Sequence, residues 1–263
     1  MKTITIGSFK GGTGKTTLTA VLGAALANRG IKTSIIELET STKPLARFEA
    51  ARSFADLPTS SVAELALSGG TPDIRDWQLM LSRQIEQARV RGCQLTIIDT
   101  GSVWKPEVIA AHLLADLVLT TVTESPIDLY QFMPGEGPNM QSIHPYAELI
   151  NLVRRNAEKS ERASFEWTLC INRRSHLRTR VGDSVFHRLK DFTQAADVSL
   201  MDGLTDRVAY RNMMETGVTP LDDVAGEPVA RSALAARTEV ARLVGSIIAR
   251  LKPAVETPAY EFA

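Results

Sequence analysis

Two lysines and several glycines lie close together near the start of the chain, at residues 7–17. Glycines let a backbone turn tightly, so that successive N–H groups point into one concavity and hold phosphate oxygens. Lys15 can reach the terminal phosphates of a nucleotide, and the Thr16 hydroxyl can ligate Mg²⁺. The alternative is a plain glycine-rich turn between a strand and a helix. The predicted nucleotide contacts of this loop are Gly11, Gly12, Thr13, Gly14, Lys15, Thr16 and Thr17.

Carboxylates end two of the apolar, β-branched runs that follow. Glu37 and Glu39 close one run and lie on the same side of it, because side chains alternate along a strand. Asp99 closes a later run. Ligands of open α/β sheets bind at the carboxyl ends of strands, so we expect all three carboxylates near the phosphate loop. Asp99 could hold Mg²⁺ through water. For the two glutamates the alternative is a solvated position at a strand exit.

The elements that must position these side chains alternate along the chain. Short β-branched runs predict strands at 3–8, 32–38, 94–100, 116–122, 166–172 and 198–201. Helical periodicity predicts helices at about 15–29, 44–55, 73–91, 106–115, 146–159, 180–196, 206–216 and 230–251. This alternation predicts an α/β three-layer sandwich, with a mostly parallel sheet covered by helices on both faces. We expect one domain over residues 1–252 and a flexible C-terminal tail at 253–263.

Length and composition narrow the classes of function. The 263 residues carry 30 Lys and Arg against 30 Asp and Glu, and 44% of them are hydrophobic. This balance is typical of a globular protein, and it argues against a disordered chain, a membrane protein or a chain that is basic throughout. No apolar run approaches the ~18–20 residues of a membrane span, and the N-terminus has no signal-peptide pattern. We therefore expect a cytoplasmic protein.

The phosphate loop has an unusual form, because a second lysine, Lys10, stands before its glycine pair. The run Lys-Gly-Gly-x-Gly-Lys-Thr-Thr at 10–17 resembles the deviant Walker A motif of the ParA/MinD ATPases, a family of P-loop NTPases. Residues 204–211 and 217–220 resemble MipZ-like members, and residues 8–10 with the helix end at 24–29 resemble the VirC-type branch. The resemblance covers nearly the whole chain. It implies ATP and Mg²⁺ as cofactors and an ATP-dependent homodimer.

The resemblance also implies a role for each candidate residue. Lys10 would reach across a two-fold interface to the nucleotide of the partner subunit. Glu37 and Glu39 stand where relatives usually carry two aspartates, of which the first holds the Mg²⁺ shell and the second orients the attacking water. By this carry-over the catalytic residues are Lys10, Lys15 and Glu39, the metal residues are Thr16, Glu37 and Asp99, and Asn172 reads adenine.

The sequence departs from the family pattern in two places. Glu37 and Glu39 are each one methylene longer than aspartate, and a displacement of about 1 Å can cost on the order of 10²-fold in rate. We therefore expect slow hydrolysis. After Asp99 the chain continues with Gly101 and Ser102, where family members commonly have proline pairs or Pro-Gly.

Basic residues cluster late in the chain. Residues 173–190 contain six lysines and arginines and two histidines, and Asp183 is the one acidic residue among them. Such a cluster suits a phosphate backbone, and ParA relatives bind DNA without sequence preference as ATP dimers. The alternative is a solvated helix face. The predicted DNA contacts are Arg173, Arg174, Arg178 and Arg211.

The function that these observations favour is that of a ParA-like ATPase. It would form an ATP-dependent dimer, bind DNA non-specifically on the nucleoid, and position or partition a cargo such as a plasmid, a chromosome or transfer DNA. Slow Mg²⁺-dependent hydrolysis, stimulated by an adaptor protein, would reset it. Two alternatives stay open: a metabolic P-loop ATP-dependent ligase, and a MinD-like membrane-cycling ATPase, suggested by the basic amphipathic helix at 230–251. We expect that helix to cover the sheet rather than to bind a membrane.

Overall fold

The computed structural model describes residues 1–39, 41–63, 65, 71–133, 145–159, 165–177, 179–196, 198–222 and 231–251. The predicted C-terminal tail at 253–263 lies outside the described residues. Within them, seven strands form one parallel sheet in the order β3-β2-β4-β1-β5-β6-β7. The strands are β1 Lys2–Gly7, β2 Thr33–Glu37, β3 Ser61–Ala63, β4 Leu95–Asp99, β5 Leu117–Val122, β6 Glu166–Ile171 and β7 Ser199–Asp202.

Helices cover both faces of this sheet, which confirms the predicted α/β sandwich. Two adjacent residues of β5 show the two layers, because neighbouring side chains of a strand point to opposite faces. Leu119 packs in one core cluster with Val21 of the first helix, whereas Val118 packs in another with Ile150. The helices are α1 Lys15–Ala27, α2 Pro44–Phe54, α3 Ile74–Val90, α4 Pro106–Leu114, α5 Pro126–Leu129, α6 Pro145–Lys159, α7 Arg180–Ala196, α8 Val208–Thr216 and α9 Arg231–Arg250.

Two elements were not predicted from the sequence. Strand β3 has only three residues and pairs with β2 at the edge of the sheet. Helix α5 is a single turn that begins at Pro126. Both are shorter than the period over which apolar spacing can be recognised, so neither stands out from its surroundings.

The last helix packs on the sheet, as expected. Its apolar stripe includes Val240, Val244 and Ile247, which are fully buried in the same core cluster as Leu22 of α1. This stripe is therefore already covered by protein. None of the helices in the described part of the chain is long and apolar enough to cross a membrane.

A fully buried arginine joins three separate parts of the fold. Arg52 of α2 forms a salt bridge with Asp222 at 2.7 Å, and their side chains are 0% and 1% exposed. Its remaining N–H groups donate to the carbonyl oxygens of Pro58 and Gly217 and to the Oδ1 atom of Asn28. All the N–H donors of the guanidinium are thus satisfied, which is the condition for burying a charge without a large penalty.

A second buried carboxylate, Glu49, lies one helical turn before Arg52 and carries a testable pH dependence. Its Oε2 atom accepts from the Ser60 backbone N–H at 2.9 Å, whereas Oε1 has no partner within the described residues. Burial raises the pKa of Glu49 from 4.5 to about 7. The folded state then binds this proton more tightly than the unfolded state, so the free energy of unfolding falls as pH rises through this window.

We expect Glu49→Gln to stabilise the protein at about pH 8 and to reduce the decrease in the free energy of unfolding with rising pH. Each unit of pKa difference is worth about 1.4 kcal/mol. Urea unfolding of both proteins at about pH 5 and about pH 8 measures the effect. Glu86→Gln, on an exposed surface of α3, is the matched control. Parallel pH profiles for Glu49→Gln and the wild type would contradict the expectation.

Candidate nucleotide site

The glycine-rich segment forms a loop between β1 and α1, at the carboxyl ends of the strands. Gly12 and Gly14 have φ angles of 76° and 85°, a region that residues with a Cβ rarely adopt. Gly14 is also restricted by packing, because a Cβ there would lie 2.5 Å from Nδ2 of Asn172. The loop therefore takes the tight form that presents backbone N–H groups to an anion at the start of α1.

Lys15 is a buried cation inside this loop. It is 7% exposed, and burial lowers the pKa of its ammonium group, while the nearby charge of Asp99 acts in the opposite direction. Its Nζ atom donates to the Lys10 carbonyl oxygen at 3.1 Å and to Ser102 Oγ at 2.7 Å. No salt bridge joins it to a carboxylate among the described residues. A desolvated ammonium group without a direct counter-ion suits a phosphate group.

Asp99 lies beside the loop at the end of β4 and is 2% exposed. Its two oxygens accept from the hydroxyls of Thr16, at 2.8 Å, and Thr19, at 2.9 Å. Burial raises the pKa of this carboxyl to about 6. Glu37 is its register partner on β2, so two of the predicted metal residues are neighbours in the sheet.

These oxygens fit Mg²⁺ bound together with phosphates and water. The described residues contain no group of three or more His, Cys, Asp or Glu side chains that could hold a metal by itself. Mg²⁺ commonly takes only one or two carboxylates and completes its shell with phosphate oxygens and water. Thr16 and Asp99 would hold the ion, which would neutralise charge on the phosphates.

The two glutamates of β2 have different environments. Glu37 is buried, and its carboxylate accepts from the backbone N–H groups of Leu45, at 2.9 Å, and Ala46, at 3.3 Å. It thus binds the N-terminus of α2, where a negative charge is favourable. Glu39 is exposed and accepts from both the backbone and the hydroxyl of Ser41. Their roles at the metal and at the attacking water stay predictions.

Lys10 is held by a carboxylate of its own chain. Its ammonium group, on a side chain that is 34% exposed, contacts the fully buried Asp128 of α5. The other oxygen of Asp128 accepts from the backbone N–H of Thr123 at 2.7 Å and from its hydroxyl at 2.8 Å, which fixes the carboxylate in place. A contact of Lys10 with another subunit would therefore compete with this ion pair.

A cavity of about 310 Å³ opens beside the phosphate loop. Asn172, predicted to read adenine, contributes to its wall, but its amide is also bound within the protein. Nδ2 donates to the Thr13 carbonyl oxygen at 2.8 Å, and Oδ1 accepts from the Leu204 N–H at 2.9 Å. Asn172 thus ties the end of β6 to the loop, and its reading of adenine stays a prediction. The lining includes Gly12, Thr17, Leu204, Tyr210, Arg211 and Met214.

The arginines that the structure describes among the predicted DNA contacts all have acidic partners within the fold. Arg173 donates to the Gly12 carbonyl oxygen at 2.7 Å and lines the cavity together with Arg211. Both arginines pair with Asp206. The expectation that Asp183 alone opposes the basic cluster is wrong, because the fold brings acidic residues from other segments to it.

Arg174 shows the same effect, since it pairs with Glu124 and Asp202 at 3.3 and 3.0 Å. These partners lie far from it in the sequence, so local composition could not reveal them. Arg178, the fourth predicted contact, lies outside the described residues.

Three side chains of the site were not predicted. Thr19 lies one helical turn after Thr16, a spacing that could have indicated a second hydroxyl facing the same carboxylate. Ser102 was noted only as a departure from the proline that relatives carry. Asp128 is 118 residues from Lys10 and belongs to no motif, so the sequence offers no signal for it.

Comparison with known proteins gives the family. The description "ATPase MipZ" matches residues 2–250. A search of curated proteins finds no match.

Solved structures share the fold at low identity. Apo McdA from Cyanothece is 17% identical with a TM-score of 0.60, and the alignment covers 83% of this chain and 91% of that chain. MinD from Pyrococcus horikoshii OT3, complexed with Mg-ADP, is 16% identical with a TM-score of 0.55, covering 95% and 99%. Cobyrinic acid a,c-diamide synthase from Mycobacterium smegmatis, with a bound ATP analogue and magnesium, is 13% identical with a TM-score of 0.59, covering 99% of each.

These structural likenesses concern the fold, whereas the family match extends over nearly the whole sequence. It includes the phosphate loop, the carboxylates of β2 and β4 and the cavity wall. The solved structures that share the fold of this chain include ATPases of the ParA/MinD kind. The chain itself belongs to the MipZ family of P-loop ATPases.

Proposed function

We propose that this chain is a ParA-like positioning ATPase. ATP closes a homodimer, the dimer binds DNA without sequence preference, and a partner protein stimulates slow Mg²⁺-dependent hydrolysis that releases it. The cargo would be a plasmid, a chromosome or transfer DNA, and DNA binding would place the protein on the nucleoid.

The second lysine of the phosphate loop carries this proposal. Lys15 lies inside the loop and suffices for a nucleotide bound there, whereas Lys10 lies at the rim and contacts Asp128 of its own chain. Lys10 is partly exposed, and the neighbouring Gly11 and Gly12 are exposed as well. A partner subunit can therefore approach this side of the loop. An added cation from a second copy would be favourable only while the γ-phosphate is present.

The arginines near the ends of β6 and α8 support DNA binding. The side chains of Arg173, Arg174 and Arg211 are 47%, 35% and 64% exposed, respectively. Their ion pairs with acidic residues are partly solvated and therefore weak, so DNA phosphates can compete for the guanidinium groups. Two copies in a dimer would double the number of phosphate contacts. Such binding would weaken steeply as salt is added.

Retention of non-specific duplex DNA tests the proposal. We expect the wild type to retain at least about tenfold more DNA with a slowly hydrolysed ATP analogue than with ADP, because dimerisation links two weak DNA sites. Lys10→Ala should lower retention to the ADP level while it still binds the analogue, since Lys15 is intact. Electrophoretic mobility shift and light scattering measure DNA retention and mass in the same samples.

Lys2→Ala is the matched control. Lys2 lies at the other end of β1, pairs with Asp116 and is 33% exposed, against 34% for Lys10. It should retain DNA like the wild type. Equal retention with the ATP analogue, with ADP and in Lys10→Ala would rule out the proposed function.

A further inference from the structure

Gln131 holds the backbone of the phosphate loop just before its glycine pair. It follows α5 in the chain and is 7% exposed. Its Oε1 atom accepts from the Phe9 backbone N–H at 2.8 Å and from the Ser8 hydroxyl at 3.3 Å. The Ser8 oxygen in turn accepts from the Lys10 backbone N–H at 3.2 Å. The first part of the loop is therefore bound to the segment that follows α5.

These contacts form a closed ring with the ion pair of Lys10. Nε2 of Gln131 donates to the backbone carbonyl oxygen of Asp128 at 3.3 Å, and the side chain of Asp128 contacts the Lys10 ammonium group. Asp128 thus holds the side chain of Lys10, whereas Gln131 holds its backbone through Ser8. The carbonyl oxygen of Lys10 accepts from Nζ of Lys15 at 3.1 Å. All the polar groups of Lys10 therefore have a partner within the chain.

The ring divides the loop into two parts. The N–H groups of Phe9 and Lys10 are bound to the side chains of Gln131 and Ser8. For the N–H groups of residues 11–14, no acceptor is found in the part of the chain that the structure describes. These N–H groups are available to an anion. Gln131 thus contacts the part of the loop that carries Lys10 and not the part that would hold phosphate.

We propose that Gln131 is a positioning residue for Lys10, which keeps the backbone of this lysine ordered while its ammonium group leaves Asp128 for the nucleotide of a second copy. This inference rests on the proposed function, in which Lys10 crosses to a partner subunit. The hydrogen bonds through Ser8 do not involve the ammonium group, so they remain when it moves. Pairing then has to order the side chain of Lys10 but not the loop beneath it, which lowers the entropic cost of association.

Gln131→Met tests this assignment, because methionine has a similar volume but lacks the amide. We expect dimerisation with ATPγS and Mg²⁺ to weaken about tenfold, since the backbone at Lys10 must then be ordered on pairing. The affinity for ADP should stay within about threefold of the wild type, because Lys15 and the N–H groups of residues 11–14 are unchanged. Analytical ultracentrifugation measures the dimer dissociation constant, and calorimetric titration measures the affinity for ADP. A general loosening of the fold would lower both.

Ser8→Ala is a second variant, which removes the link between Gln131 and the Lys10 N–H and keeps the bond to Phe9. It should weaken dimerisation about threefold. Ser60→Ala is its matched control, because it also removes a buried serine hydroxyl, one that donates to the Gly23 carbonyl oxygen. This control should alter neither dimerisation nor the affinity for ADP.

The outcomes separate this inference from the proposed function. If the wild type does not dimerise with ATPγS, the proposed function is wrong and the positioning role is wrong with it. If the wild type dimerises and Gln131→Met does so equally well, or loses dimerisation and ADP affinity together, only the positioning role is wrong. Circular dichroism shows whether Gln131→Met folds. If it does not, Ser8→Ala decides, and unchanged dimerisation of that variant would overturn the assignment.

Discussion

Lys15→Ala is expected to reduce ATP binding and hydrolysis by on the order of 10²–10³, since a positioned charged donor in a site shielded from water is worth about 2.7–4 kcal/mol. The ammonium group is buried and has no salt bridge with a described carboxylate, so its strongest interaction is reserved for a bound anion. The same feature predicts that the variant stays folded. Removing a desolvated charge without a direct counter-ion relieves a cost rather than breaking a pair.

Two measurements on the same variant check both parts of this prediction. Calorimetric titration with ATPγS gives the affinity, and thermal unfolding without nucleotide gives the stability. Lys32→Ala, which removes an exposed lysine that donates to the Arg91 carbonyl oxygen, is the control for loss of charge. Nucleotide affinity of Lys15→Ala within about threefold of the wild type would show that Lys15 does not contact phosphate.

Arg52→Ala is expected to lower the free energy of unfolding by about 3–5 kcal/mol, the cost of leaving the partner of a buried ion pair uncompensated. The substitution leaves the buried carboxylate of Asp222 without its cationic partner. It also leaves the carbonyl oxygens of Pro58 and Gly217 without this donor. Few single substitutions in this chain should cost more, because a domain of this kind is stable by only about 5–15 kcal/mol.

Urea unfolding measures the loss, and Arg47→Ala is its matched control because Arg47 is an exposed residue of the same helix. Arg47→Ala should change stability by less than about 0.5 kcal/mol. A double-mutant cycle with Asp222→Ala distinguishes pairing from simple loss of volume. If the pair matters, the double variant loses less stability than the sum of the single ones. Strict additivity would mean that the two residues act independently.

Much of the fold could be predicted because the buried strands are continuous apolar runs with polar ends. Helix α3 shows how well local signals fix a boundary: Asp73 and Asp76 form a reciprocal capping box, and the predicted start at Asp73 is one residue before the helix begins. The phosphate loop could be predicted equally well, since two of its glycines, Gly12 and Gly14, have the positive φ angles that this residue type adopts most easily.

The contacts between distant segments could not be predicted. Asp128 holds Lys10 from a one-turn helix, and Asp222 lies 170 residues from Arg52. Neither carboxylate stands in a motif, and both pairs arise only once the sheet has fixed the order of its strands. The acidic partners of the basic cluster could not be predicted for the same reason, because Glu124 and Asp202 approach Arg174 from other elements. A count of charges along the sequence does not include the acidic residues that folding brings from distant segments.

The contact between Lys10 and Asp128 bears on how two copies of the protein would meet. In this structure Lys10 is paired with Asp128 of its own chain, so its ammonium group would gain little electrostatically from a neighbour. Crowding alone should therefore be a poor trigger for pairing, and raising the amount of protein in a cell should not replace ATP. Under the proposed mechanism, a ligand that competes with Asp128 would release Lys10, so that pairing would depend on bound nucleotide rather than on the amount of protein.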